Sequence, residues 1–287
     1  MNGQQLFFCG GLPKSGTTFL QRIINMHPEI SCQSEDNLDY LARRIRGLIK
    51  DYNQVLNTLA KRTGADEYSL VNNDIFNETF INLIKSVAIN RNDDKKFIGI
   101  NDNHLLIYNL SCIMKYFKGS KIIIIFRNPI DRALSAWDHN LRLNKKEVGG
   151  DHLDFLKTNG KLDLDAYVIK LSKIWSLAML EIIELAHANG NSIRLVSYEL
   201  LVNRKKESLE NIFKFIGCTK DEQVVSGIVS NSSLGKMRDN SSSPIFFSKA
   251  RMNFGEGVLK PSTIKSSLEI SKKAIQLLNI EIPQGLI

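Results

Sequence analysis

The stretch FFCGGLPKSGTTFLQRIINMHP, residues 7–28, places a glycine-rich loop between two segments of different periodicity. The apolar run before the glycines is typical of a buried strand, and TTFLQRIINM after them has helical spacing up to Pro28. A glycine turn between a strand and a helix offers backbone N–H groups and the positive end of the helix dipole to an anion. The stretch therefore predicts an anion-binding loop in an α/β fold, rather than a plain turn with a surface lysine.

The lysine of this loop is displaced. Gly11 and Gly16 have the spacing of a nucleoside-triphosphate loop, but Thr17 stands where the lysine of that motif follows the last glycine. Lys14 lies two residues before Gly16, inside the loop. This position leaves open which phosphate compound the loop binds.

A second cationic position follows the strand KIIIIF, residues 121–126. Its β-branched run without alternation predicts a parallel strand that is buried on both faces. Arg127 ends this strand, whereas a kinase or nucleoside triphosphatase usually places a magnesium-organising aspartate there. Asn128 and Pro129 then predict the capped start of a helix. Two anion sites at neighbouring strand ends indicate a ligand with two separated phosphate groups.

Strands alternate with helices along the whole chain, which predicts one α/β domain over residues 1–287: a doubly wound, central parallel sheet flanked by helices, like that of P-loop nucleoside triphosphate hydrolases. Helices are expected over 37–62 and over 74–91, with Asp74 as the cap of the second. Residues 144–163 read as a long polar loop, a candidate lid.

The composition is that of an ordinary globular protein, with 43% hydrophobic and 24% charged residues. The net charge of +8 fits nucleic acid, an acidic membrane surface or a phosphorylated small molecule, and equally a basic surface without a special partner. Four separated cysteines predict no metal site, and Cys9 and Cys32 read as buried apolar residues. No signal peptide or membrane span is predicted, so a cytoplasmic location is expected, with the oligomeric state open.

PKSGTTF and FRNPIDRALSAW together resemble the family of sulfotransferases that use 3′-phosphoadenosine 5′-phosphosulfate (PAPS), which leaves as 3′-phosphoadenosine 5′-phosphate (PAP). The similarity of motifs is greatest to the tyrosylprotein, carbohydrate and bacterial members. In that family the first motif binds the 5′-phosphosulfate, and an arginine followed eight residues later by a serine binds the 3′-phosphate. The resemblance therefore implies nucleotide contacts from Lys14, Ser15, Gly16, Thr17, Thr18, Arg127 and Ser135. A lysine beside the 5′-phosphate would also stabilise the charge that develops on the leaving oxygen.

The same resemblance implies two alternatives for the general base, Glu35 and His104, with Asp36 as the near alternative to Glu35. A glutamate after the second strand is the base of the tyrosine-sulfating and carbohydrate branches, and a histidine near position 104 is the base of the cytosolic branch. In the tyrosine-sulfating branch an aligned lysine assists catalysis, whereas this chain carries Asp102.

Further nucleotide contacts are implied more loosely. Phe19 stands where the cytosolic branch stacks a tryptophan on the adenine, with a core position as the alternative. Tyr198 matches a tyrosine that contacts the nucleotide in several members. In FSKARMNFGEGVLKP, Arg251 and Gly257 match the loop that closes over the 3′-phosphate, with Lys249 as a substitute.

The leading hypothesis is a sulfotransferase that moves a sulfuryl group from PAPS to a hydroxyl or amine of a small-molecule, lipid or carbohydrate acceptor. A small-molecule kinase using ATP and magnesium is the alternative. A non-catalytic polyanion binder ranks last, because the chain lacks interleaved aromatic and basic residues, and no nucleic-acid partner is expected.

Overall fold

The computed structural model of the chain describes residues 4–33, 35–64, 69–89, 94–144, 157–158, 161–219, 221–239 and 252–283. Five parallel strands form the central sheet in the order β2–β3–β1–β4–β7. These strands are β1 (Gln5–Gly11), β2 (Ile30–Cys32), β3 (Phe97–Asn101), β4 (Lys121–Phe126) and β7 (Ile193–Ser197). The predicted α/β class with a parallel sheet is confirmed.

Helices connect the strands and cover both faces of the sheet. They are α1 (Thr17–Ile24), α2 (Leu38–Thr63), α3 (Asn73–Ile89), α4 (Asn103–Tyr116), α5 (Pro129–Asn144), α6 (Leu164–Ala188), α7 (Tyr198–Asn203), α8 (Lys205–Ile216), α9 (Glu222–Asn231), α10 (Leu234–Asp239) and α11 (Pro261–Leu277). A short hairpin of β5 (Lys157–Thr158) and β6 (Lys161–Leu162) precedes α6.

Strand β4 shows why the sheet is buried on both sides. Ile122 and Ile124 point into one hydrophobic layer, and Ile123 and Ile125 point into the other. None of the four is more than 1% exposed. The first layer contains residues of α4, α5, α6 and α11, and the second contains residues of α1, α8 and α9. The unbroken isoleucine run therefore predicted its environment correctly.

The cap of α3 differs from the expectation. Asn72, and not Asp74, caps this helix, since its side-chain oxygen accepts from the backbone N–H groups of Asp74 and Ile75, both at 3.0 Å. Asparagine caps a helix as well as aspartate does, and the predicted cap lay two residues too far along the chain. Within the part of the chain that the structure describes, no helix is long and apolar enough to cross a membrane.

The single-domain prediction stays a prediction. Residues 145–156 and 159–160, most of the predicted lid, lie outside the described residues.

Candidate active site

The loop after β1 depends on its glycines. A Cβ on Gly11 would collide with the carbonyl oxygen of Ile125 in the adjacent strand, so only glycine lets β1 end there. Lys14 and Gly16 both adopt left-handed backbone angles, with φ of 72° and 94°. The loop therefore turns tightly between β1 and α1, and Lys14 stays inside it.

The amino-terminal end of α1, which follows this loop, suits an anion. Gly16 occupies the N-cap position, and no side chain caps the helix. The first N–H groups of an uncapped helix attract negative charge, as the helix dipole does. The hydroxyl of Ser15 is fully buried and has no hydrogen-bond partner among the described residues. A buried polar atom without a partner, next to an uncapped helix end, fits a phosphate or sulfate oxygen.

Electrostatic neighbours tune the lysine of this loop. Burial, and after it the nearby Arg142 guanidinium, lower the pKa of Lys14 to about 8, while the carboxylate of Glu35 acts in the opposite direction. Lys14 is therefore under the electrostatic influence of a second cation and of a carboxylate. Sequence reasoning missed Arg142, which lies near the end of α5 and matches no motif.

A tyrosine joins the first motif to the second. Arg127 follows β4, is 4% exposed, and lies with its guanidinium 4.8 Å from the ring centre of Tyr198. On the other side, a Cβ on Gly16 would collide with the Tyr198 ring. Gly16 is thus required both for its left-handed backbone and for the close approach of Tyr198. The structure brings these three predicted site residues together.

Side chains organise the start of α5. Asn128 accepts from the backbone N–H of Asp131 at 2.8 Å and donates to the Asp131 carboxylate at 2.7 Å and to Glu199 at 3.0 Å. The same Asp131 carboxylate accepts from the backbone N–H of Phe254 at 3.2 Å. This network places the segment around Phe254 against the start of α5, close in sequence to Arg127. The predicted Asn128 cap is confirmed.

A buried arginine of α5, Arg132, supports the first loop. Arg132 is 4% exposed and donates to the carbonyl oxygens of Pro13 and Leu171, both at 3.2 Å. Burial lowers its pKa to about 10, so the group remains charged near neutral pH. These hydrogen bonds connect the loop to α5 and α6, and the guanidinium adds positive charge beside the loop. In the sequence, Arg132 resembled one more helix-surface cation, and nothing distinguished it.

The candidate base Glu35 lies between β2 and α2 and is held by Asn103, the first residue of α4. The side-chain N–H₂ of Asn103 donates to the Glu35 carboxylate at 2.8 Å and to the Thr17 hydroxyl at 3.3 Å. Its side-chain oxygen accepts from the backbone N–H of Gly11 at 3.3 Å. Asn103 therefore links Glu35 to both ends of the phosphate-loop candidate. Sequence reasoning missed it, although it lies next to His104.

The two aspartates near Glu35 have structural partners. Asp36 accepts from the backbone N–H of Asn101 at 3.1 Å, and its own N–H donates to the Asn101 carbonyl at 2.9 Å. Asp102 caps α4 through the backbone N–H of Leu105 and also accepts from the backbone N–H of Leu38 at the start of α2. One buried carboxylate thus caps two helices, which explains an aspartate where the tyrosine-sulfating branch has lysine.

Phe19 is a core residue. It is 2% exposed and meets the Tyr198 ring edge to face at a centroid distance of 6.1 Å. The prediction that it stacks on the adenine is corrected on this ground, because the packing of α1 on the sheet buries the ring. Its contact with Tyr198 supports the site indirectly.

The remaining predicted residues are placed as follows. Thr18 is half-buried in the first turn of α1, and Ser135 is half-buried on α5. Gly257 is exposed, with φ of 72°, in the segment that contains Phe254. His104 occupies the second position of α4. Arg251 and Lys249 lie outside the described residues.

A separate polar cluster lies at the opposite, amino end of the sheet. His27, Glu29 and Cys218 bring potential metal-ligand atoms within 4.8 Å of one another. Both ring nitrogens of His27 already have backbone partners, the Thr219 carbonyl at 3.2 Å and the Glu29 N–H at 3.2 Å. The histidine therefore connects the end of α1 to the segment after α8.

The chain resembles known proteins over most of its length. It is 23% identical to protein-tyrosine sulfotransferase 2 of Gallus gallus over 221 residues, which are 77% of this chain and 53% of that protein. It is 22% identical to a putative protein-tyrosine sulfotransferase of Caenorhabditis briggsae, over 78% of this chain and 69% of the relative. The chain thus spans about half the length of the first relative and about two thirds of the second.

A solved structure has the same fold. The mouse sulfotransferase SULT7A1 complexed with PAP superposes with a TM-score of 0.58 at 17% identity, over 95% of this chain and 84% of that one. The sulfotransferase domain family matches residues 5–256, which include both motifs, Glu35 and the Asn103 contact. This match confirms the class that the two motifs predicted, rather than the kinase. The chain belongs to the sulfotransferase family.

Proposed function

We propose that the protein transfers a sulfuryl group from PAPS to a hydroxyl group of an acceptor molecule. The observation that supports this most is the joining of two cationic strand ends by one tyrosine, since Tyr198 contacts Arg127 on one side and approaches Gly16 on the other. A nucleotide with phosphates on both its 5′ and 3′ oxygens fits such a pair.

In this proposal the backbone and side chains of the first loop hold the 5′-phosphosulfate. The backbone N–H groups at the uncapped end of α1 and the buried Ser15 hydroxyl donate hydrogen bonds to its oxygens, and Arg127 binds the 3′-phosphate. Lys14 stabilises the negative charge on the bridging oxygen as the sulfur–oxygen bond breaks, which lowers the barrier where charge develops.

Glu35 completes the reaction as the general base. Its carboxylate takes the proton of the acceptor hydroxyl while the acceptor oxygen bonds to sulfur and the 5′-phosphate leaves. Asn103 fixes that carboxylate with one hydrogen bond and contacts Thr17 with another. His104 remains the alternative base, and variants of Glu35 and of His104 distinguish the two candidates.

The acceptor class is proposed as a small molecule, lipid or carbohydrate. The two curated relatives are named for protein tyrosine, but Asp102 stands in place of the assisting lysine and is committed to capping two helices. A tyrosine peptide therefore belongs in the acceptor screen as a competing arm. The cytoplasmic location stays a prediction.

The first experiment measures thermal stabilisation by PAP and, separately, by ATP with magnesium. A nucleotide at 100 times its dissociation constant adds about 2.7 kcal/mol to the free energy of unfolding. We expect stabilisation by PAP in the wild type and its loss in Arg127→Ala. Arg43→Ala, which removes an exposed arginine from α2, should respond as the wild type does. Stabilisation by ATP with magnesium alone would contradict the proposal.

The second experiment measures turnover with PAPS and an acceptor panel of sugars, phenols, lipid alcohols and a tyrosine peptide. Glu35→Gln should bind PAP normally and lose turnover with every acceptor, whereas His104→Ala should retain turnover. The reverse result would assign the base to His104 and leave the sulfotransferase function intact.

A further inference from the structure

The turns that follow β4 and β7 lie side by side at the carboxyl end of the sheet. The two strands are parallel neighbours, and the last pair of their register is Phe126 with Ser197. One residue farther along each chain segment come Arg127 and Tyr198, and the Arg127 guanidinium lies 4.8 Å from the centre of the Tyr198 ring. The residue after Tyr198 is Glu199, in the first turn of α7. Glu199 therefore stands beside the residues that connect β4 to α5.

The carboxylate of Glu199 joins the two turns. Its Oε1 accepts from the backbone N–H of Asn128 at 2.9 Å and from the side-chain N–H₂ of Asn128 at 3.0 Å. Its Oε2 accepts from the hydroxyl of Ser197 at 3.0 Å. The same hydroxyl caps α7, since it accepts from the backbone N–H of Leu200 at 3.2 Å. One side chain thus connects the turn after β4 to the turn after β7.

The hydrogen bond to the backbone N–H of Asn128 bears directly on the arginine. Asn128 is fully buried, so this N–H would lose its partner in a buried place if Glu199 were replaced by alanine. The N–H belongs to the peptide group that joins Arg127 to Asn128. A hydrogen bond to a carboxylate is stronger than one to a neutral oxygen, so it fixes this peptide firmly. The backbone from which the Arg127 side chain extends is therefore held by Glu199.

The aromatic partner of the arginine is held by the same carboxylate. Tyr198 lies between Ser197 and Glu199 in the chain, and the Ser197 hydroxyl is bound to Glu199. The Tyr198 ring is 5% exposed and contacts the Arg127 guanidinium by a cation–π interaction. The arginine and the ring that supports it are thus positioned by one group. A side chain oriented in advance loses less conformational freedom when it binds an anion.

We propose that Glu199 is a positioning residue for recognition of the 3′-phosphate. It orients Arg127 through the Asn128 peptide and Tyr198 through the Ser197 hydroxyl, and it acts through them rather than on the nucleotide. The inference rests on the proposed function, because it takes the anion bound by Arg127 to be the 3′-phosphate of PAPS. Glu199 then contributes to the preference of the site for a 3′-phosphorylated nucleotide, although its own charge is negative.

The test compares the dissociation constants of PAP and of adenosine 5′-monophosphate (AMP), which lacks the 3′-phosphate, by isothermal titration calorimetry. Glu199→Ala should weaken PAP binding about 10- to 100-fold, the range for lost hydrogen bonds to a charged group, and change AMP binding less than about twofold. Glu199→Gln keeps an oxygen for the Asn128 N–H and should retain most of the preference for PAP. Glu184→Ala, which removes an exposed glutamate from α6, should bind both nucleotides as the wild type does.

A milder variant makes the test independent of whether Glu199→Ala folds. Ser197→Ala leaves the bonds from Glu199 to Asn128 in place and removes only the contact to Oε2 and the cap of α7. It should show the same selective loss of PAP binding, to a smaller extent than Glu199→Ala. A loss of AMP binding as large as that of PAP binding, in either variant, would indicate a purely structural role and overturn the proposal.

A double-variant cycle tests whether Glu199 acts through the arginine. Glu199→Ala should weaken PAP binding in the wild-type background and have little further effect in Arg127→Ala. Equal losses in the two backgrounds overturn the proposal, and so does a Glu199→Ala variant that keeps the full preference for PAP. A wild-type chain that binds PAP no better than AMP instead contradicts the proposed function itself, so the two failures are distinct.

Discussion

The helix starts after β1 and after β4, both at the carboxyl end of the sheet, are built in opposite ways. Gly16 leaves α1 without a capping side chain, and the loop shape depends on left-handed backbone angles at Lys14 and Gly16. At α5, Asn128 caps the helix and, with Asp131 and Glu199, forms a closed network of hydrogen bonds. The backbone of α1 is therefore available to an anion, whereas beside α5 the Arg127 side chain has to bind it.

The largest expected effect on stability and PAP binding comes from disrupting the start of α1, where the backbone forms the candidate anion site. Gly16→Ala places a Cβ against Tyr198 and forces a side chain into the left-handed region, at a cost of about 1–2 kcal/mol for the backbone and about 1–3 kcal/mol for the overlap. We expect a lower melting temperature and no stabilisation by PAP. Gly47→Ala is the matched control, since no atom lies within 4 Å of its added Cβ and a mid-helix alanine is favourable. Equal behaviour of the two variants would refute the glycine requirement.

Removing the charge inside the first loop tests what that end does chemically. Lys14→Met should lower kcat by about 100- to 1000-fold, the cost of losing one preorganised donor at the developing charge. Single-turnover kinetics with PAPS give this number directly. A rise of KM by the same factor, with kcat intact, would show that Lys14 only binds the nucleotide.

Asn103 links the first loop to the candidate base, so its loss should affect chemistry more than binding. Asn103→Ala releases Glu35 and should lower kcat roughly 10- to 100-fold, in line with the cost of misplacing a reacting group. Stabilisation by PAP should change little. Ser111→Ala, an exposed position on the same helix, serves as the control. An Asn103→Ala variant with normal kcat would argue against Glu35 as the base.

The pH dependence follows from Lys14. With a pKa of about 8, Lys14 is charged below that pH and loses its proton above it. Because kcat/KM reports the free enzyme, it should fall about tenfold per pH unit above pH 8. Arg142→Gln removes the neighbouring positive charge, so the pKa of Lys14 should rise and the alkaline limb should move to higher pH. A limb that stays in place would exclude Lys14 as its origin.

The smallest effect on PAP binding is expected at the start of α5, where side chains form the hydrogen-bond network around Asn128. Asn128→Ala removes a cap and a partner of the buried Asp131, which should cost about 1–3 kcal/mol of the free energy of unfolding. Urea denaturation measures this cost. The affinity for PAP should fall less than in Arg127→Ala, because the network supports the arginine without replacing it. A larger fall than in Arg127→Ala would mean that the network itself binds the anion.

Sequence patterns predicted the strands and helices well where periodicity was strong. The isoleucine run of β4 and the strand–glycine–helix pattern of the first loop fixed two strand ends, and two motifs then indicated the family. The cap of α3 and the role of Phe19 were wrong or undecided for a shared reason. Asn72 and Asp74 are both good capping residues, so local sequence does not choose between them. An aromatic residue after a loop likewise has the same pattern whether it is buried or faces a ligand.

The sequence by itself determined the parallel α/β architecture, both cationic strand ends and the identity of most candidate nucleotide contacts, since these depend on residues close together in the chain. Only the tertiary structure decided which groups act on one another. Asn103 reaches Glu35 across 68 positions, Arg132 supports a loop 119 positions away, and Arg142 sets the charge environment of Lys14. Those contacts depend on how distant elements pack, because burial and hydrogen-bond partners are set by packing rather than by neighbouring residues.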